Sequence, residues 1–162
     1  MKKTLAVTVA ALAASAVLAT PAQATALDKS NAERLMMAVQ LTQDSKSSFD
    51  KWAKARANRN TEAVKAYKFD WSSNGCSVPK EIKNADAWKL IFLIPCTRHD
   101  FGYRNVKKIA TTSSWKNTYK KGVDSAFHGD MKRTCDGRFS GAKKVACKTV
   151  AYEFYAAVKL FG

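Results

Sequence analysis

Pro95-Cys96-Thr97-Arg98-His99-Asp100-Phe101-Gly102-Tyr103-Arg104-Asn105 is the stretch on which the reading of the chain turns. His99 and Asp100 stand side by side there, three residues behind Cys96. Histidine takes up and returns a proton close to neutral pH, and a neighbouring carboxylate suits a hard cation such as calcium, which takes oxygen ligands. Pro95 fits the first turn of a helix, where its missing N–H is no loss. On such a helix Cys96, His99 and Tyr103 share a face at i, i+3 and i+7, and Asp100 lies about 100° round the axis. A base and an anion then flank one pocket while the cysteine pins the helix to a neighbour. The plainer alternative is a surface helix that merely contains a histidine and an aspartate.

Working outward, Phe69 to Pro79 reads as a loop rich in Asp, Ser, Asn and Gly that carries Cys76. Asp70, Asn74 and Gly75 offer side-chain and carbonyl oxygens within a short span, as a calcium loop needs, although an Asx-type turn uses the same residues. Ile91-Phe92-Leu93-Ile94 is an apolar run that can line a pocket mouth or feed the following helix. Downstream, Asn117 to Thr134 reads as a second long helix with Val123, Phe127 and Met131 on one face. Asp124 borders that stripe, and a buried carboxylate needs a partner. His99 on an antiparallel neighbour is the first candidate and His128, at i+4, the competing one.

Further from the centre, Ser30 with Glu33 marks a capping box for a helix over Ala32 to Gln43. Ser48 to Asn58 continues the helical pattern, and Asn60 or Thr61 can cap a short helix carrying Val64 and Tyr67. Ala142 to Phe161 is aromatic-rich, and most of Val145, Val150, Tyr152, Phe154, Tyr155, Val158 and Phe161 are expected in the core. Three prolines and no internal repeat fit one helical domain.

Met1 to Ala24 has the form of a secretory leader. Lys2 and Lys3 precede an apolar core from Leu5 to Leu18, then Pro21 and the cleavage pattern Ala22-Gln23-Ala24, with Ala24-Thr25-Ala26 as a second cut. The core is too short and alanine-rich for a membrane span. Export makes two disulfides the natural use of Cys76, Cys96, Cys135 and Cys147, which lack the spacing of a zinc site. Three pairings remain open, of which Cys76–Cys96 and Cys135–Cys147 close the shortest loops. Formal charge is +15 over the whole chain, and without Lys2 and Lys3 it is about +13. Such a charge steers the protein towards polyanions, whether nucleic acid, acidic lipid or cell wall.

The run Cys96 to Asn105 closely resembles the Cys-x-Arg-His-Asp-Phe-Gly-Tyr-x-Asn active-site motif of the small secreted phospholipases A2 of bacteria and fungi. The resemblance extends to Phe69-Asp70-Trp71-Ser72 and Cys76, to Asp124-Ser125-Ala126-Phe127, to Asp130-Met131-Lys132-Arg133, and to Ala157-Val158-Lys159-Leu160-Phe161-Gly162. It covers roughly Leu41 to the last residue. It implies an all-α fold: one small disulfide-stapled helical domain over residues 25–162, with two long antiparallel helices carrying the active site. Residues 25–40 then stand as a possible N-terminal extension. It also implies the pairs Cys76–Cys96 and Cys135–Cys147.

The activity so implied is calcium-dependent hydrolysis of the sn-2 ester of a glycerophospholipid by a secreted monomer at an anionic phospholipid surface, with no nucleic-acid partner. His99 is the expected general base on water, Asp124 its partner, and Tyr103 a brace for the pair. Asp100, Asn74 and Gly75 are the expected calcium ligands, and Asp70 is structural. One position departs from the pattern: Asn74 stands where bacterial members carry a calcium-ligating aspartate, which predicts weaker calcium binding. Two other classes of function use the same composition. A secreted basic ribonuclease would employ His99 and His128, and a cationic membrane-active or wall-binding protein would need neither.

Overall fold

The computed structural model describes residues 28–77 and 82–162, so the expected leader with its two cleavage patterns, and Pro79, lie outside the described residues. Ser30 opens the first helix as the sequence leads one to expect. Its hydroxyl accepts from the Glu33 N–H and Glu33 reaches back to the Ser30 N–H, the reciprocal cap that starts α1 (Asn31–Gln40). The Ser45 side chain likewise caps α2 (Lys46–Ala57), and Thr61 precedes the single turn α3 (Glu62–Lys65). Residues 66–77 run on without further helix. Then come α4 (Ala85–Ile91) and α5 (Leu93–Ile109), with Pro95 in the first turn of α5.

The expected second long helix is part of a longer unbroken helical stretch, residues 112–138, with a π turn inside it. A short α6 (Thr112–Ser114) leads into a π turn, Trp115–Tyr119, and α7 runs Lys120–Arg138. α8 (Gly141–Phe161) closes the described fold. No strand occurs among the described residues, so the all-α, disulfide-stapled reading holds.

α7 is the central element, in contact with α5, α8 and the π turn. Arg98 meets Asp130 whereas Tyr103 meets Asp124, so residue numbers rise along α5 as they fall along α7. Cys135 joins Cys147 whereas Lys120 reaches Val158, so α8 is also antiparallel to α7. Gly102 makes the α5–α7 approach possible: a Cβ there would stand 2.6 Å from Val123 Cγ1.

Two apolar clusters flank this pair of helices. One gathers Phe92, Phe127, Met131 and Phe154 with both cysteines of the Cys135–Cys147 bond. The other gathers Leu41, Trp52, Phe101, Val106, Trp115 and Val123. Between them lies a buried ion pair, Arg98 Nη1 to Asp130 Oδ2 at 2.7 Å, both side chains 2% exposed. Arg98 also donates to the Leu41 and Gln43 carbonyls and to Ser48 Oγ, which fastens the α1–α2 corner to α5. A charge buried without such partners would be strongly destabilising.

The disulfides are Cys76–Cys96 and Cys135–Cys147. Closing loops of 20 and 12 residues, each contributes about 3 kcal/mol by restricting the unfolded chain.

One expectation is corrected. Phe154 is buried, but Val145, Tyr152 and Phe161 are 67%, 60% and 84% exposed, so much of the apolar surface of α8 faces solvent. The helix packs on α7 along one stripe only, that of Cys147, Ala151 and Phe154. Within Ile91–Ile94 the run divides: Phe92 is fully buried, whereas Leu93 and Ile94 are nearly half exposed. Trp115 is buried in the cluster of Phe101 and Val123, and half-buried Trp88 packs against the cluster of Phe92 and Phe154.

Candidate active site

His99 is presented by the middle of α5, one turn before Tyr103 and facing Asp124 of α7. Its Nε2 lies 2.9 Å from Asp124 Oδ1. The side chain is only 12% exposed, and Asp124 is 2% exposed. The ring packs between Tyr103 and Phe127, at centroid distances of 4.5 and 4.7 Å, so its plane is set by neighbours on both sides.

Tyr103 donates its hydroxyl to the same Asp124 Oδ1 at 3.1 Å. Burial and the adjacent Asp124 carboxylate push the phenol well above its ordinary range, so it remains a donor at any working pH. Burial would raise the Asp124 carboxyl, but hydrogen bonds from His99 and Lys120 outweigh it and hold the group below the usual carboxylate range. Asp124 is therefore an anion when the site works. Its partner is His99 and not His128, whose ring stacks on Tyr155 of α8 at 4.7 Å and is absent from the lining of the cleft. Burial and the neighbouring Lys132 lower the His128 pKa.

The cleft beside His99 has a volume of about 250 Å³ and is bounded by Asn74, Gly75, Asp100, Tyr103, Phe127 and Val158, among others. The residues expected to hold calcium are thus brought together at one wall. Asp100 Oδ2 accepts from Ser73 Oγ at 2.6 Å and from the Asn74 N–H at 3.0 Å. No donor among the described residues meets Asp100 Oδ1 in a hydrogen bond. Gly75 adopts φ +76°, the left-handed region in which a side chain would be strained. The Asn74 amide oxygen is not turned to Asp100; it accepts from Arg104 Nη2 at 2.9 Å.

The donors fit calcium in kind, being a carboxylate, a peptide carbonyl and an amide oxygen, and carry a single formal negative charge. No group of three or more His, Cys, Asp or Glu side chains that could hold a metal gathers among the described residues.

Asp70 has the structural place expected of it. Its carboxylate accepts from the Ser72 N–H and hydroxyl, an Asx turn. The Asn105 amide receives the Asp70 N–H at 2.8 Å and donates to the Asp70 carbonyl at 2.9 Å. Arg104 adds a bond from Nε to the Ser72 carbonyl. The positional roles of Asn105 and Arg104 were invisible in the motif, because nothing local tells a helix residue which loop it will meet. Lys120 was missed as well. Its Nζ is 2.8 Å from Asp124 Oδ2, and its signal was the i−4 spacing from a carboxylate that needed partners.

Fold and site together define a small helical protein, stapled by two disulfides, with a histidine at the wall of a narrow cleft and a buried aspartate bonded behind it. The sequence model of the prokaryotic phospholipase A2 family matches residues 44–162, and the chain belongs to that family. It is 36% identical over 97 residues to a secretory phospholipase A2 of Arthroderma benhamiae, an overlap of 57% of this chain and 60% of that protein. It is 30% identical over 93 residues to one of Beauveria bassiana, covering 57% and 44% respectively. The chain thus spans less than two thirds of either relative's length.

Proposed function

We propose that the protein is an exported, calcium-dependent phospholipase A2 that cleaves the sn-2 ester of glycerophospholipids to a lysophospholipid and a free fatty acid. The observation that carries this reading is the 2.9 Å His99 Nε2–Asp124 Oδ1 contact at the edge of the cleft. Asp124 takes the N–H of Nε2, which leaves Nδ1 as the basic nitrogen. Nδ1 removes a proton from water as that water attacks the ester carbonyl, so no side-chain nucleophile is needed. Asp124 then stabilises the imidazolium and keeps the ring from turning. His99 returns the proton to the departing alkoxide of the glycerol.

Asp100, the Gly75 carbonyl and the Asn74 amide oxygen would hold calcium. When bound, the ion supplies Lewis-acid polarisation of the ester carbonyl and a counter-charge for the phosphate. An ion at the Asn74 oxygen would share it with the Arg104 guanidinium. Two disulfides formed from all four cysteines suit an oxidising compartment, which favours export. The substrate surface is an anionic bilayer. Leu93 lies 4.0 Å from where a Gly75 Cβ would be, and exposed Leu160 and Phe161 directly precede cleft-lining Gly162. Apolar side chains therefore stand beside the cleft, on a chain whose formal net charge is +15.

The direct test is fatty-acid release from mixed phospholipid vesicles by wild type and His99→Gln, with and without a calcium chelator. Chelation is expected to silence the wild type, and His99→Gln to lower turnover by about 10²- to 10⁴-fold. Release that survives both changes would sink the reading. A two-histidine ribonuclease would instead cleave RNA with the chelator present.

A further inference from the structure

Asp124 receives His99 and Tyr103 on the same oxygen, Oδ1. The other oxygen, Oδ2, is met by Lys120 Nζ at 2.8 Å. The same ammonium donates to the Val158 carbonyl at 3.1 Å, in the last turns of α8. The Lys120 side chain is 18% exposed, so a long, flexible group is held nearly still at a cost in rotamer freedom.

The π turn ahead of α7 links this lysine to the other brace of the aspartate. The Lys120 N–H bonds to the Trp115 carbonyl, five residues back, so the turn is wider than an α turn and brings positions 115 and 120 towards one face. Trp115 meets the Tyr103 ring edge-on at 4.8 Å, while Lys120 reaches Asp124. Both donors that accompany His99 on the carboxylate are thereby set by one local distortion. Val158 and Gly162 line the cleft, so Lys120 also joins the carboxylate to a wall of the substrate space.

We propose that Lys120 is a positioning residue. Its ammonium locks the carboxylate plane of Asp124 and ties it to the last turns of α8, keeping His99 and the cleft wall in one register. The effect on turnover rests on the phospholipase reading; the effect on hydrogen-bond geometry does not.

The experiment compares wild type, Lys120→Met, Lys120→Arg, Asp124→Asn and Asp124→Asn/Lys120→Met by two readouts. The first is the His99 Nε2–H proton signal in nitrogen-edited NMR, assigned by its loss in His99→Gln. The second is kcat and KM on a monodisperse short-chain phospholipid with calcium present. Lys120→Met is expected to broaden or shift the proton signal and to lower kcat about ten- to hundredfold. Lys120→Arg restores most of both, and Lys120→Met adds nothing in the Asp124→Asn background. A folded Lys120→Met protein with an unchanged proton signal overturns the proposal, whatever its turnover. Should Lys120→Met fail to fold, Lys120→Gln carries the same comparison with the same criterion. Should the wild type release no fatty acid, the phospholipase reading fails while the proton signal still decides the role of Lys120.

Discussion

Asn74 and Arg104 show how one side chain changes the meaning of another. Taken alone, an asparagine in an otherwise acidic loop position lowers the charge offered to a cation by one. In the folded protein its amide oxygen is already engaged by a guanidinium at 2.9 Å, so a cation competes with a resident positive charge as well. Asn74→Asp is therefore expected to tighten calcium binding, and to do so more strongly when Arg104 is replaced by Gln. Isothermal titration of the two single variants and the double variant measures this. Equal gains with and without Arg104 would mean that the guanidinium plays no part. The motif displayed His99, Asp100 and Tyr103 openly because their chemistry is carried by residue type. Ser73, Arg104, Asn105 and Lys120 stayed hidden because their roles depend on contacts across 27 to 38 residues or on a helix turn read in the less obvious direction.

At the scale of elements, the α5–α7 contact controls the distance between His99 and Asp124. Gly102 sets how closely the two helices approach, because even one methyl group would press on Val123. Gly102→Ala is expected to cost about 1–3 kcal/mol through overpacking and to reduce turnover, since a shift of α5 lengthens a 2.9 Å bond. Thermal melting and kcat together check this; an unchanged melting temperature with full turnover would show that the interface has slack. Helical periodicity disclosed α1, α2, α5 and α8 with only small errors at their ends, because an apolar stripe and a capping residue are local signals. The π turn was not legible, since Trp115–Tyr119 reads as ordinary helix until the partners of Trp115 and Lys120 are known. The same limit explains α8. Its apolar positions outnumber those that one neighbouring helix can cover, and the sequence does not say which are left out.

Across the whole molecule, the two apolar clusters pack α5 and α7 at different levels along their length, one around Phe92, Phe127 and Met131 and the other around Phe101, Val106 and Val123, leaving the cleft open between the loop of residues 72–77 and the end of α8. The side chains left uncovered include Leu93, Ile94, Leu160 and Phe161. On the proposed function, Leu93→Asp with Phe161→Asp is expected to depress hydrolysis of anionic vesicles at least about tenfold, through lost apolar contact and added repulsion. Turnover of a monodisperse substrate should stay within about twofold, and melting should change little for exposed positions. Equal losses on both substrates would place these residues in the cleft and not at a bilayer.

The segment from Asp70 to Cys76 has its two ends fixed to a single helix. Asn105 grips one end through both peptide groups of Asp70, much as a neighbouring strand would, and the Cys76–Cys96 bond rivets the other. The attachment points lie nine residues apart on α5, about 13 Å along its axis. The span between them rides with that helix as a handle rides with a bucket. Substitutions inside it can retune what the handle holds while leaving its placement over His99 and Asp100 untouched.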